Sequence, residues 1–120
     1  MTADATGPSI FSRIVAREIP ATILAETERV IAFRDVAPQA PLHVLVVPKT
    51  ELYRNVVELA GGDPLLLAEM IAMAQEIASA ESDGQFRLVF NTGENAGQTV
   101  FHVHAHVLSG GLEEGRIGSQ

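Results

Sequence analysis

The sequence predicts a single α+β domain, a five-stranded antiparallel sheet with two helices, covered on one face. Three observations predict it. Five short apolar or alternating runs are separated by polar or Pro- and Gly-bearing segments, and all but one of their connections are short. The exception is a long helical pattern that opens at Asp63-Pro64, where Asp caps orphan N–H groups and Pro at the first helical position loses no needed donor. The 120 residues contain no internal repeat and no linker-like block, which leaves room for one domain. The expected division is a disordered lead over 1–9, the domain over 10–111 and a short polar tail over 112–120.

The first element is a helix over Ile10–Ile19. It places Ile10, Ile14 and Val15 at helical spacing and is stopped by Pro20. Thr22–Ala25 and Arg29–Phe33 flank Glu26-Thr27-Glu28 and form a hairpin. Pro38 and Pro41 mark a loop. His43–Val47 (HVLVV), the most β-branched stretch of the chain and closed by Pro48, is the central strand. The long helix runs from Pro64 to about Ala80, with Leu66, Met70, Met73 and Ile77 as its apolar stripe. Leu65, Leu67, Ile71 and Ala74 widen that stripe beyond what one sheet face needs. The helix is therefore either sunk in its own core or partly committed to a second subunit. Gly84 ends it, and Phe86–Phe90 and Phe101–Leu108 complete the sheet around a polar, Gly-bearing loop, 91–98.

Composition narrows the function. There is no Cys, which excludes disulfides, thiolate metal sites and a Cys nucleophile and fits a cytoplasmic protein. A formal net charge of −7, with the basic residues scattered, lacks the footprint of a nucleic-acid or membrane-surface binder. No apolar run approaches the ~20 residues that span a bilayer.

The histidines carry the chemistry. Three of the four stand at 102, 104 and 106. On a strand these share one face, with Phe101, Val103, Ala105 and Val107 on the other. A shared metal ion is one use of such a row, but at ~3.3 Å per residue His102 and His106 stand about 13 Å apart, and His43 completes a ligand set only from an adjacent strand. The other use is nucleophilic catalysis at phosphorus: a neutral imidazole attacks, and neighbouring imidazoles stabilise charge on the phosphoryl oxygens. The loop just before the row suits an anion, through Gly97 and the uncharged donors of Gln98 and Thr99. This second use needs neither metal nor cofactor.

His102-Val103-His104-Ala105-His106-Val107-Leu108 resembles the signature of the histidine-triad superfamily, His-φ-His-φ-His-φ-φ with φ apolar. Ile10-Phe11, Glu18-Ile19-Pro20-Ala21, Phe33 through Pro41, His43 through Lys49, Asn91-Thr92-Gly93 and Gly97-Gln98-Thr99 extend the resemblance to its nucleotide-binding (Hint) branch, over about residues 10–111. The resemblance implies a homodimer whose two sheets join into one of ten strands, with the long helix at the interface. It implies a purine nucleotide substrate and hydrolysis of nucleoside phosphoramidates through a nucleotidyl-histidine. His104 would be the nucleophile, with His106 and Thr99 on the phosphate and leaving group and His102 and His43 tuning His104. Asn91 and the Gly97-Gln98 backbone would hold phosphate and sugar, and Asp35 the ribose hydroxyls. Ile10, Phe11, Ile14, Phe33, Val36 and Leu45 would wall the base. Related functions on the same nucleophile are dinucleoside polyphosphate hydrolysis, nucleotidyl transfer, or a regulatory nucleotide-binding module with incidental turnover. One departure stands out: Glu51 occupies the position after Pro48-Lys49-Thr50 where the family commonly has His.

Overall fold

The computed structural model describes residues 8–116. In chain order the elements are α1 (Ile10–Val15), β1 (Ile23–Glu26), β2 (Val30–Arg34), β3 (Leu42–Pro48), α2 (Val56–Gly62), α3 (Pro64–Glu81), β4 (Arg87–Val89) and β5 (Ala105–Ser109), with single 3₁₀ turns at Glu94–Ala96 and Glu114–Arg116. The strands form one antiparallel sheet in the order β1-β2-β3-β5-β4.

All seven residues of β3 are buried, as expected of a central strand, and five of their side chains divide between two cores. Leu42, Val44 and Val46 meet Leu66, Met70, Met73, Ala74 and Ile77 of α3, together with Val103, Ala105 and Val107. Leu45 and Val47 turn the other way, onto Ile31, Phe33, Phe11 and Ile14. Each large side chain so withdrawn from water contributes about 1.5–3 kcal/mol. The second face is thus partly covered by α1, where the sequence reading left it bare.

α3 opens as expected, with the Asp63 carboxylate accepting from Leu66 N at 3.0 Å. Arg29 reaches across from the start of β2 to Asp63 and, in a two-bond fork, to Glu69. Gly84, at φ +88°, closes the helix by donating its N–H to Ala78 O. Of the widened stripe, Ala74 is core, Leu67 is half-buried, and Leu65 and Ile71 remain exposed.

Four elements differ from the expectation. α1 stops at Val15, four residues early, because Arg17 adopts a left-handed conformation (φ 64°) and the backbone closes on itself through Arg17 N to Ile14 O and Glu18 N to Arg13 O. Pro20 is not the terminator. The lead ends sooner as well: Ser9 is fully buried and caps α1. The rest of the expected lead, apart from Pro8, and the last four residues of the tail lie outside the described residues. A third α-helix, α2, is added. The last strand begins at Ala105 and not at Phe101, since the ladder to β3 starts at the pair Val46–Ala105. Val103 N bonds instead to Tyr53 O, at 3.0 Å.

Candidate active site

His43 on β3 and His106 on β5 are diagonal neighbours, because β3 pairs with β5 through Leu45–His106 and His43–Leu108. Their rings approach to 3.0 Å between His43 Nε2 and His106 Nδ1. The direction of this bond follows from its far end. The backbone N–H of Gln39 donates to His43 Nδ1 at 2.9 Å, and a main-chain amide can only donate. His43 therefore carries its proton on Nε2, where it donates to His106 Nδ1 with Asp35 Oδ2 at 3.3 Å. That assignment leaves the proton of neutral His106 on Nε2, as a hydrogen-bond donor.

His104 is protonated the other way round. Its Nδ1 lies 2.9 Å from the carbonyl of His102, which can only accept, so Nδ1 bears the hydrogen and Nε2 keeps a free lone pair. The His104 and His106 rings stand 5.3 Å apart, and Phe11 of α1 packs edge-on against His104 at 4.9 Å and His102 at 5.7 Å. His102 is fully buried. Its Nε2 donates to Pro48 O at 2.7 Å, which in the neutral ring leaves Nδ1 to accept from the Ser9 hydroxyl. The expected alternation survives although the strand does not reach that far: Val103, Ala105 and Val107 enter the α3 core, while Phe11, from the opposite face, touches both His102 and His104.

Burial pushes the pKa of His104, His106 and His43 below the ordinary imidazole value, that of His106 to about 4 with help from the neighbouring His104 and His43. Asp35 opposes the shift in all three. The site is therefore a set of neutral rings at pH 7, the state in which an imidazole is a nucleophile. The linkage has a definite sign. Between pH 6.5 and about 4 the unfolded chain binds a proton at His106 that the folded one refuses, and His104 and His43 act in the same direction, so this stability is fully present above pH 6.5 and is lost as pH falls through that window. Urea midpoints measured across this window are expected to fall with acid, and His106→Gln should flatten the slope; an unchanged slope would place His106 outside this linkage.

Asp35, His43 and His106 also bring three potential ligand atoms within 4.8 Å of one another. Their protons do not suit a cation. Coordination at His43 Nε2 would require its proton to leave and Nδ1 to be protonated against the Gln39 N–H.

The remaining expected residues are placed unevenly. Phe11, Ile14, Phe33 and Leu45 are buried in one cluster with Ile31 and Val47, so they are core first, and any base-facing surface they offer is narrow. Ile10 is 44% exposed and Val36 is 95% exposed. Asp35 accepts from Ala37 N on one carboxylate oxygen and faces His43 with the other. The 91–98 loop, expected to hold an anion, spends its donors internally. The N–H groups of Gly97 and Gln98 are spent on Glu94 O and Gly93 O, and the buried Gln98 amide binds Gly93 N, Arg54 O and Val100 O. Gln98 is a staple of the loop and offers no free donor, whereas Thr99 is exposed and Asn91 half-buried. Sequence reasoning missed Ser9 and the Gln39 amide. Ser9 was within reach as a Ser directly before a helical pattern; a main-chain amide leaves no sequence signal.

The HIT domain family model matches residues 16–111. The chain belongs to the HIT family. Among its relatives, an uncharacterized HIT-like protein of Synechocystis is 48% identical over 103 residues, covering 85% of this chain and 90% of that one. The purine nucleoside phosphoramidase of Escherichia coli K12 is 40% identical over 104 residues, covering 85% of this chain and 87% of that one. A solved HIT family hydrolase from Clostridium thermocellum superposes with a TM-score of 0.81 at 40% identity, over 88% of this HIT chain and 96% of that one. Among the described residues no helix is long and apolar enough to cross a membrane.

Proposed function

We propose that this HIT protein is a cytoplasmic hydrolase of purine nucleoside phosphoramidates that works through a nucleotidyl-His104 intermediate. What carries the reading is the asymmetry of the four imidazoles: only His104 holds its proton on Nδ1, which leaves Nε2 bare, beside the donor Nε2–H of His106. Likeness to the Escherichia coli phosphoramidase supports the substrate class. In the first step His104 Nε2 forms a bond to the α-phosphorus and the P–N bond breaks, the departing amine taking up a proton from water. In the second, water attacks the nucleotidyl-imidazole, releases the nucleoside monophosphate and its own proton, and restores His104. His106 Nε2–H would hydrogen-bond a phosphoryl oxygen as charge builds on it, with Thr99 beside the leaving group. Asp35 has lone pairs left for the ribose hydroxyls after its contacts with Ala37 and His43. Asn91 would reach phosphate or sugar, and Ile10, Val36 and the edges of Phe11, Ile14, Phe33 and Leu45 would line the base. No step calls for a metal.

A homodimer belongs to the same proposal. Leu65 and Ile71 lie exposed along α3, Leu65 at 70%, and β4 is a three-residue strand at the edge of the sheet.

The test is a rapid quench at alkaline pH with a slow adenosine phosphoramidate, read by peptide mass spectrometry. One nucleotidyl group on His104 is the expected product. Faster turnover of diadenosine polyphosphates would move the assignment to that class, and binding without an adduct would leave a regulatory module.

A further inference from the structure

The nucleophile stands beyond the end of the sheet. The β3–β5 ladder stops at Ala105, so the backbone that carries His102 and His104 is held by side chains and by one short loop, 48–54. Pro48 O takes the His102 Nε2–H, Tyr53 O takes Val103 N–H, and Arg54 O takes the Gln98 amide. The fourth hold comes from α1. The Ser9 hydroxyl donates to His102 Nδ1 while accepting from Ser12 N, and Ser9 O takes the N–H of Arg13. One polar group of Ser9 remains, its own N–H, and the carboxylate of Glu51 accepts it at 3.1 Å. Glu51 belongs to the same 48–54 loop, and its side chain is exposed at the outer end of this chain of bonds.

We propose that Glu51 and Ser9 form a positioning pair for the nucleophile: Glu51 seats the start of α1 on the 48–54 loop, and Ser9, so placed, fixes His102, whose carbonyl aims His104. The function of the pair rests on the reading of His104 given above. Glu51 acts through Ser9, as a positioning residue. Its part is that of an acceptor for one backbone N–H, so what matters is an oxygen at that point and not its charge. Phe11 is two residues from Ser9 and packs on both His102 and His104, so the same seating sets the ring against which the nucleophile rests.

The experiment uses the full chain with Glu51→Ala, Glu51→Gln, Ser9→Ala and the double Ser9→Ala/Glu51→Ala variant. Single-turnover rates of nucleotidyl-His104 formation are measured beside ¹⁵N imidazole spectra, which report where each ring holds its proton. Glu51→Ala is expected to slow adduct formation about tenfold, the scale of losing one hydrogen bond. Affinity for adenosine monophosphate should change less. Glu51→Gln should restore the rate to within about twofold of the parent, since an amide oxygen still accepts. The double variant should be no slower than the slower single one, because both act through one chain of bonds. A wild-type rate for Glu51→Ala, equal losses for Glu51→Ala and Glu51→Gln, or additive losses would each overturn the pairing. The spectra separate this claim from the proposed chemistry. If no variant, nor the parent, forms an adduct, the phosphoramidase reading fails, yet the His102 and His104 resonances must still shift in Glu51→Ala and return in Glu51→Gln. If they do not, the pair fails too.

Discussion

His104→Ala is expected to lower phosphoramidate turnover by at least about 10³-fold, the order seen when a covalent nucleophile is removed, and to leave nucleotide affinity within a few-fold. The reason is geometric. His104 alone of the four rings leaves Nε2 unprotonated, and its Nδ1–H is anchored to a carbonyl of the chain that no rotation of a neighbour replaces. His106 cannot stand in for it, because His43 occupies the lone pair of His106 Nδ1 and the proton sits on Nε2. The measurement is kcat with an adenosine phosphoramidate beside calorimetric titration with adenosine monophosphate. A rate within about tenfold of the parent, ~1.4 kcal/mol of barrier, would end the covalent mechanism.

The second large effect belongs to His106. His106→Phe keeps an aromatic ring beside His43 and His104 but removes the donor, and should cost about 10²–10³ in kcat, as loss of one preorganised donor to a developing oxyanion does. His106→Asn should recover part of that loss, since an amide N–H can replace the imidazole donor if it reaches the same point. Combining His106→Phe with His43→Phe should add little further loss, because His43 acts on phosphate only through His106. Full additivity would show that His43 reaches the substrate by its own route.

Much of this was legible because local and global signals agreed. His43–Val47 has three Val in five residues and became the most buried strand, and Asp63-Pro64 opened α3 with the capping bond expected of it. The imidazole row was read from period-two spacing, and the spacing held although the ladder ends at Ala105. What sequence hid was decided by tertiary bonds. α2 is Val-Val-Glu-Leu-Ala-Gly-Gly, a poor helical composition. It forms because Asn55 caps Glu58 N, the Glu58 carboxylate takes Arg54 N–H, and Leu59 is wholly buried. The burial of Leu59 leaves no local signal in the sequence. The Gly97-Gln98 loop looked like an anion cradle by composition, but Gln98 was needed to tie the loop to Arg54, and its donors went there. Arg17 entered a left-handed conformation that a glycine would have announced.

The row of protons from Gln39 through His43 to His106 has its sense imposed at one end by a main-chain group. Every amino acid but proline brings that group to position 39. Ordinary drift in the side chain there is invisible to the catalytic rings, so the polarity of the site is inherited with the path of the backbone and is insulated from most mutations of the residue that sets it.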